Sequence, residues 1–222
     1  MKSTCPLCRS SDVQRIHTSS EKLGSREFFL CGECDLVHVP RRYHLAPEAE
    51  QTRYLLHNND PSDLDYRRFL GRLWDVMRPA LASGAHGLDF GCGPGPALVR
   101  MAIEDGFDVD AYDPYFAPDK SVLKSRYDFI TCTETAEHFA SPADEFKMLH
   151  SILKPNGLLG VMTSMPPDWS TFPAWHYNRD PTHLAYYAQR TMQWIANSQN
   201  MEVSFPVPNV AIFRKPSRHL GL

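Results

Sequence analysis

The spacing of apolar and polar positions changes several times along the chain, and each change predicts an element. Up to about residue 45 the apolar residues fall in short strand-like pieces, as in "EFFLCGECDLVHV". Pro40, Pro47 and a cluster of charges then predict a linker. Beyond residue 59, Leu64, Phe69, Leu70, Leu73, Trp74, Met77, Ala80 and Leu81 recur at helical spacing, with Ser62 and Asp65 placed as a capping box. "HGLDF" reads as a buried strand, and "PALVRMAIED" as a helix begun by Pro96 and stopped at Gly106. "FDVDAY" and "YDFITC" are further strands. "SPADEFKMLHSILKPNG" predicts a helix with Ser141 as N-cap, Pro142 at its first position, Glu145 closing a capping box and Asn156-Gly157 ending it. The strand "LLGVMTS", an aromatic- and proline-rich loop and the helix "QRTMQWIANSQN" follow. "MEVSFPV" and "NVAIFRK" close the chain as an antiparallel hairpin at or near a sheet edge. This alternation predicts an α/β fold with a parallel sheet covered on both faces.

Composition adds limits. A chain of 222 residues suits one ordinary domain plus a small appendage, divided here as 1–45 and 46–222. A formal net charge of -3 leaves no footprint for non-specific nucleic-acid binding, which makes nucleic acid a disfavoured partner. No apolar run approaches the ~20 residues of a membrane span, and the polar start "MKSTCPLC" predicts no secretory signal. Four of the six cysteines form two C-x-x-C pairs, Cys5/Cys8 and Cys31/Cys34, with 22 residues between the pairs. That pattern predicts a zinc-ribbon-like module in a reducing cytoplasm, since four thiolates complete a tetrahedral structural zinc site. Four free thiols are the alternative. Cys92 and Cys132 read as small buried residues.

The stretch "GLDFGCGPGPALV", residues 87–99, places Gly91, Gly93 and Gly95 after the first strand of the alternating region. A phosphate at such a turn is held by free N–H groups of the following helix start. Pro94 and Pro96 delete two of these donors, the spacing is GxGxG rather than GxGxxG, and no P-loop lysine follows. The expected ligand therefore has no phosphate at this turn. S-adenosylmethionine fits, and Asp113, 22 residues after Gly91, ends the next strand where a carboxylate can accept from ribose hydroxyls.

With "LDFGCGPG", "YDPYF", "YDFITCTETAEHF" and "LKPNGLLGV" in order, the chain resembles the class I S-adenosylmethionine-dependent methyltransferases over about residues 55–215. The resemblance implies a Rossmann-like seven-stranded sheet. It also implies that the glycine turn (Gly91, Cys92, Gly93, Gly95) and Asp89 hold the methionine end of the cofactor, that Asp113 holds the ribose, and that Thr133 lies beside them. Only "PYFAPDKSVLKSR" separates Asp113 from "YDFITC", so the third-strand edge is expected to be shortened, with Tyr115 or Phe116 stacking on adenine in its place. The amino-terminal piece resembles zinc modules on some bacterial methyltransferases, where they help cover the acceptor site.

Glu134, Glu137 and His138 make an E-x-x-E-H pattern. The same pattern occurs in quinone-biosynthesis O-methyltransferases and small-RNA 2′-O-methyltransferases, where it binds a divalent metal at the acceptor oxygen. The resemblance makes His183 of "RDPTHL" a fourth ligand for Mg²⁺ or Mn²⁺. Substrate contact, general-base work or simple bracing of the loop remain open for the same residues. Trp169, Phe172, Trp175, His176 and Tyr177 are expected to form a lid over an apolar acceptor, with Tyr54 and His57 closing the other side or lying in a solvated linker. The expected function is methyl transfer to a small molecule through a hydroxyl or other heteroatom. An RNA or protein methyltransferase that docks through the ribbon is the alternative, and a non-catalytic cofactor-binding module a further one.

Overall fold

The computed structural model describes residues 4–56, 59–166 and 168–217. The strands β1 (Val13–Thr18), β2 (Glu27–Cys31) and β3 (Val37–His38) are followed by the helices α1 (Pro47–Tyr54) and α2 (Leu64–Met77). Then come β4 (His86–Phe90), α3 (Ala97–Glu104), β5 (Asp108–Tyr112), β6 (Tyr127–Thr133), α4 (Pro142–Ile152) and β7 (Leu153–Met162). The chain closes with β8 (Ala185–Tyr186), α5 (Gln189–Ser198), β9 (Glu202–Ser204) and β10 (Val210–Arg214).

The main sheet has six strands in the order β5-β4-β6-β7-β10-β9. Four run parallel, and β10 lies antiparallel to both β7 and β9, which makes the expected terminal hairpin at one edge. The expected seven strands are thus six among the described residues. Between Asp113 and β6 there is only an isolated bridge, Asp113 to Ala117, and a 3-10 turn at Val122–Lys124. Successive residues of a strand face opposite sides. Ile130, Leu159 and Val161 join one core with Phe146, Leu149, Met192 and Ile195, whereas Phe129, Leu158 and Met162 join another with Leu70, Leu73, Trp74, Ala97 and Leu98. Helices α4 and α5 therefore cover one face and α2 and α3 the other. Among the described residues no helix is long and apolar enough to cross a membrane.

The second sheet has the order β1-β2-β3-β8, so its last strand comes from the aromatic loop after β7 rather than from the amino-terminal piece. Several local expectations are corrected. Asp63, not Ser62, caps α2, its carboxylate accepting from the Asp65 and Tyr66 amides at 2.8 and 3.1 Å. Ser62 instead donates to Asp60. Leu64 is 74% exposed, and α2 ends at Met77, before Ala80 and Leu81. Ser141 and Glu145 form no capping box, and α4 ends at Ile152 because Leu153 already pairs with Tyr127 in the sheet. The expected linker after Pro40 contains α1. Phe172 is 0% exposed and packs with Trp169 and Trp175 against Phe28, Val37 and Tyr186 beneath the second sheet. Phe172 is core of the second sheet with Trp169 and Trp175 partly buried against it, and none of the three lines the cleft as a lid would, because that sheet needs an apolar face to rest on.

Candidate functional site

In an open α/β sheet a ligand sits beyond the carboxyl ends of the strands where the strand order reverses. Here that point is β4, flanked by β5 and β6. A cleft of about 1320 Å³ opens there. It is larger than the ~300–1,000 Å³ of an ordinary ligand pocket, leaving room for two ligands.

At one end lies the glycine turn. Gly91 and Gly93 have φ of +80° and +65°, a region open to glycine and costly for other residues. The Gly91 and Cys92 amides donate to the Tyr112 carbonyl, and the Gly93 amide donates to Asp113 Oδ2. Pro94 has no N–H, so among the described residues Gly95 N–H is the turn's one donor without an assigned protein partner. The turn has no amide cradle for a phosphate, as its prolines predict. Gly91, Cys92 and Gly93 line the cleft with Thr133. Gly95 does not: a Cβ there would come within 2.0 Å of the Asn59 carbonyl oxygen, so the expected ligand contact is a packing contact.

Asp89, 2% exposed, also lines the cleft and accepts from Thr131 Oγ1 at 2.7 Å. Burial pushes its carboxyl up to about 6, against the Thr131 hydrogen bond. Asp113 directly follows β5, and its Oδ1 takes the amides of Tyr115 and Phe116 at 2.8 and 3.1 Å. With Gly93 on Oδ2, three of its roughly four acceptor positions are filled. One remains for a ligand hydroxyl. Tyr115 and Phe116 both line the cleft beside it.

The other end is built after β6. Glu134 has φ of +47°, a strained value for a residue with a side chain, and its amide donates to the Met162 carbonyl at 2.8 Å. Burial and then the neighbouring Glu137 push the Glu134 carboxyl well up. Glu137, 1% exposed, accepts from Thr163 Oγ1 at 2.9 Å and from the Tyr177 hydroxyl. His138 and His183 have ring centroids 4.9 Å apart. His138 Nδ1 meets the Thr182 carbonyl at 3.0 Å and His183 Nδ1 meets the Tyr177 carbonyl at 2.8 Å, so Nε2 is the uncommitted nitrogen of each. Glu137, His138 and His183 place one potential ligand atom each within 4.8 Å of one another. Glu134, expected as a ligand beside these three, is not in that group. His176 and Tyr177 line this end, the first exposed and the second buried. His57 lies outside the described residues.

Some groups were not expected from sequence: Arg53 and Asp180, which line the cleft, and Arg26, which stands behind it. Arg53 of α1 donates to Asp180 Oδ2 through Nε and Nη2, at 3.1 and 2.8 Å, and Asp180 Oδ1 takes the amide and hydroxyl of Thr182. Burial opposes ionisation of Asp180, but these bonds from Thr182 and Arg53 hold it well below the usual carboxylate range. Arg26, 5% exposed, reaches from the second sheet to the carbonyls of Asp180 and His183. The turn-forming "DPT" is the local signal for Asp180. Arg26 has no local signal at all.

Away from the cleft, Cys5 Sγ lies 3.5 Å from Cys34 Sγ and Cys8 Sγ lies 3.4 Å from Cys31 Sγ, with all four sulfurs within 4.8 Å. The two knuckles match in backbone, since Arg9 and Asp35, each four residues after a first cysteine, have φ of 66° and 63°. Sulfurs on a tetrahedral zinc at ~2.3 Å stand about 3.8 Å apart, so the donor set fits that ion.

Fold and cleft together define a methyltransferase architecture, and comparison agrees. The model of the methyltransferase domain family matches residues 62–204. The chain belongs to that family, and the protein is an S-adenosylmethionine-dependent methyltransferase. Among solved structures it is similar to a SAM-dependent methyltransferase from Archaeoglobus fulgidus, 15% identical, over 67% of this chain and 94% of that one, with a TM-score of 0.51. A second, from Methanosarcina mazei, is 14% identical over 66% of this chain and 99% of that one, with a TM-score of 0.50. A search of curated proteins finds no significant match to the sequence.

Proposed function

We propose that the protein transfers the methyl group of S-adenosylmethionine to a hydroxyl oxygen of a small molecule, held between the glycine turn and the His138–His183 pair. The observation that carries this reading is the pair itself. Each imidazole has Nδ1 against a carbonyl, leaving two Nε2 atoms as bases at one end of the cleft. In this reading Asp89 holds the ammonium of the methionine end, Asp113 accepts from the ribose, and Tyr115 or Phe116 lies on the adenine. The acceptor oxygen attacks the methyl carbon in line. A C–O bond forms, the S–C electron pair returns to sulfur to leave S-adenosylhomocysteine, and the hydroxyl proton passes to an imidazole Nε2. His176 and Tyr177 border the acceptor.

The same cluster favours a second reading in which Glu137, His138 and His183 hold a divalent cation. Two imidazoles and one carboxylate suit Mn²⁺ better than Mg²⁺, which prefers an all-oxygen shell. Its charge would favour the deprotonated acceptor oxygen. The cysteine cluster holds one structural zinc in a reducing, cytoplasmic setting, and the module of residues 1–45 serves to place the acceptor loop through Arg26. A net charge of -3 favours a small acceptor over RNA. Incubation with methyl-labelled cofactor and an extract of the source cells should put label into a low-mass product. Label found only in RNA or protein would contradict the reading.

A further inference from the structure

Helix α1 lines the cleft through Pro47, Glu50, Arg53 and Tyr54, yet none of its eight residues is fully buried. So short a helix does not persist alone, and with one aromatic ring, Tyr54, as its packing contact its placement leans on polar side chains. Two of them reach the body. Arg53 grips Asp180, and Glu50 bridges two phenols: Oε1 accepts from Tyr54 at 2.7 Å and Oε2 from Tyr115 at 2.6 Å. Tyr115 is thereby pinned at both ends, its amide on Asp113 and its hydroxyl on Glu50. The Tyr54 ring packs edge-on against His138, with centroids 5.1 Å apart. A continuous chain of contacts therefore runs from Asp113 at the cofactor end to His138 at the acceptor end; the Tyr115 and Tyr54 rings meet at 5.7 Å in its middle, and Glu50 ties their two hydroxyls together.

We propose that Glu50 is a positioning residue that makes α1 a wall shared by the cofactor and the acceptor, holding Tyr115 and Tyr54 in place across the cleft. This rests on the reading that S-adenosylmethionine lies over the glycine turn. Burial, and then Glu50 itself, raise both phenols above their ordinary values, so each remains a neutral donor to the carboxylate. Geometry rather than charge is what the two phenols require. A glutamine can accept from one hydroxyl and donate to the other.

Calorimetry with S-adenosylhomocysteine on wild type, Glu50→Ala and Glu50→Gln tests this. Glu50→Ala should weaken binding about tenfold or more, and Glu50→Gln should return it to within about threefold of wild type. Tyr115→Phe, which removes only a hydroxyl and guards against misfolding of the alanine variant, should weaken binding by about threefold or more. The double variant Glu50→Ala/Tyr115→Phe should then be no weaker than Glu50→Ala alone. Bound S-adenosylhomocysteine should slow hydrogen exchange of residues 47–54 in wild type but not in Glu50→Ala. A Glu50→Ala variant that only melts earlier, with binding unchanged, would reduce the residue to a surface brace and overturn the proposal. A Glu50→Gln variant as weak as Glu50→Ala would assign the effect to charge and overturn it too. Failure of the wild type to bind would remove the cofactor reading itself.

Discussion

Thr131 Oγ1 donates to Asp89 Oδ1 at 2.7 Å, across the register that pairs these two residues of neighbouring parallel strands. Among the described residues that is the one hydrogen bond to a carboxylate 2% exposed. Burial outweighs it and lifts the Asp89 carboxyl from 3.8 to about 6. A raised folded-state value for an acid means stability that is full below the unfolded pKa and lost as pH rises through the folded one. Asp89→Asn should therefore stabilise the cofactor-free protein by about 3 kcal/mol above pH ~7, an order-of-magnitude figure, and by nothing below pH ~4. The same variant should bind S-adenosylmethionine poorly. Thermal melts across pH check the first part; a flat difference would mean Asp89 is not strained by its burial.

Arg26 links the second sheet to the loop that carries His183. Losing its two charge-assisted bonds to the Asp180 and His183 carbonyls should cost roughly 1.5–3 kcal/mol of stability and slow methyl transfer. It does not line the cleft, so affinity for S-adenosylhomocysteine should stay within about twofold of wild type. Melting, turnover and calorimetry on Arg26→Ala separate these effects. Equal loss of cofactor binding would show that the two ends of the cleft are not independent.

The cysteine cluster predicts about one zinc per chain, since four thiolates complete one tetrahedral shell. Cys31→Ser should lose the metal and expose residues 4–45 to protease while α2 to β7 stay protected. Elemental analysis of carefully prepared protein checks the stoichiometry, and a metal-free preparation of full stability would remove the zinc assignment.

Metal at the acceptor end would be separable from that zinc. Mild chelation should stop turnover, Mn²⁺ should restore it better than Mg²⁺, and S-adenosylhomocysteine should bind throughout. Under either reading of the cluster, His183→Ala should lower turnover by about 10²-fold or more with little effect on cofactor affinity. Full turnover after exhaustive chelation would leave general-base catalysis by the imidazoles as the surviving mechanism.

The alternation of strands and helices was legible because each element carries its own period, and the missing third strand showed as a short stretch between Asp113 and β6. The end of α4 was not. Asn156, expected to end the helix, has φ of +63° but lies inside β7, because Leu153–Met162 is drawn into the sheet by β6 on one side and β10 on the other. Helix α1 was hidden for a different reason. Its Pro47 start and acidic first turn are helix signals, yet Glu50 and Arg53 find partners 65 and 127 residues away, which no local pattern encodes. The aromatic loop misled because its aromatic composition suits a lid and a core equally. Only the pairing of β3 with β8 brings Phe172 beneath the second sheet.

The central claim, that S-adenosylmethionine lies over the glycine turn with its ribose at Asp113, is tested most directly by calorimetry of wild type and Asp113→Ala. Wild type should bind one cofactor per chain. Asp113→Ala should bind it more weakly by roughly 1.5–3 kcal/mol, since it loses the ribose bond and frees the Gly93, Tyr115 and Phe116 amides. Absence of binding by wild type, or equal binding by the two proteins, would contradict the account.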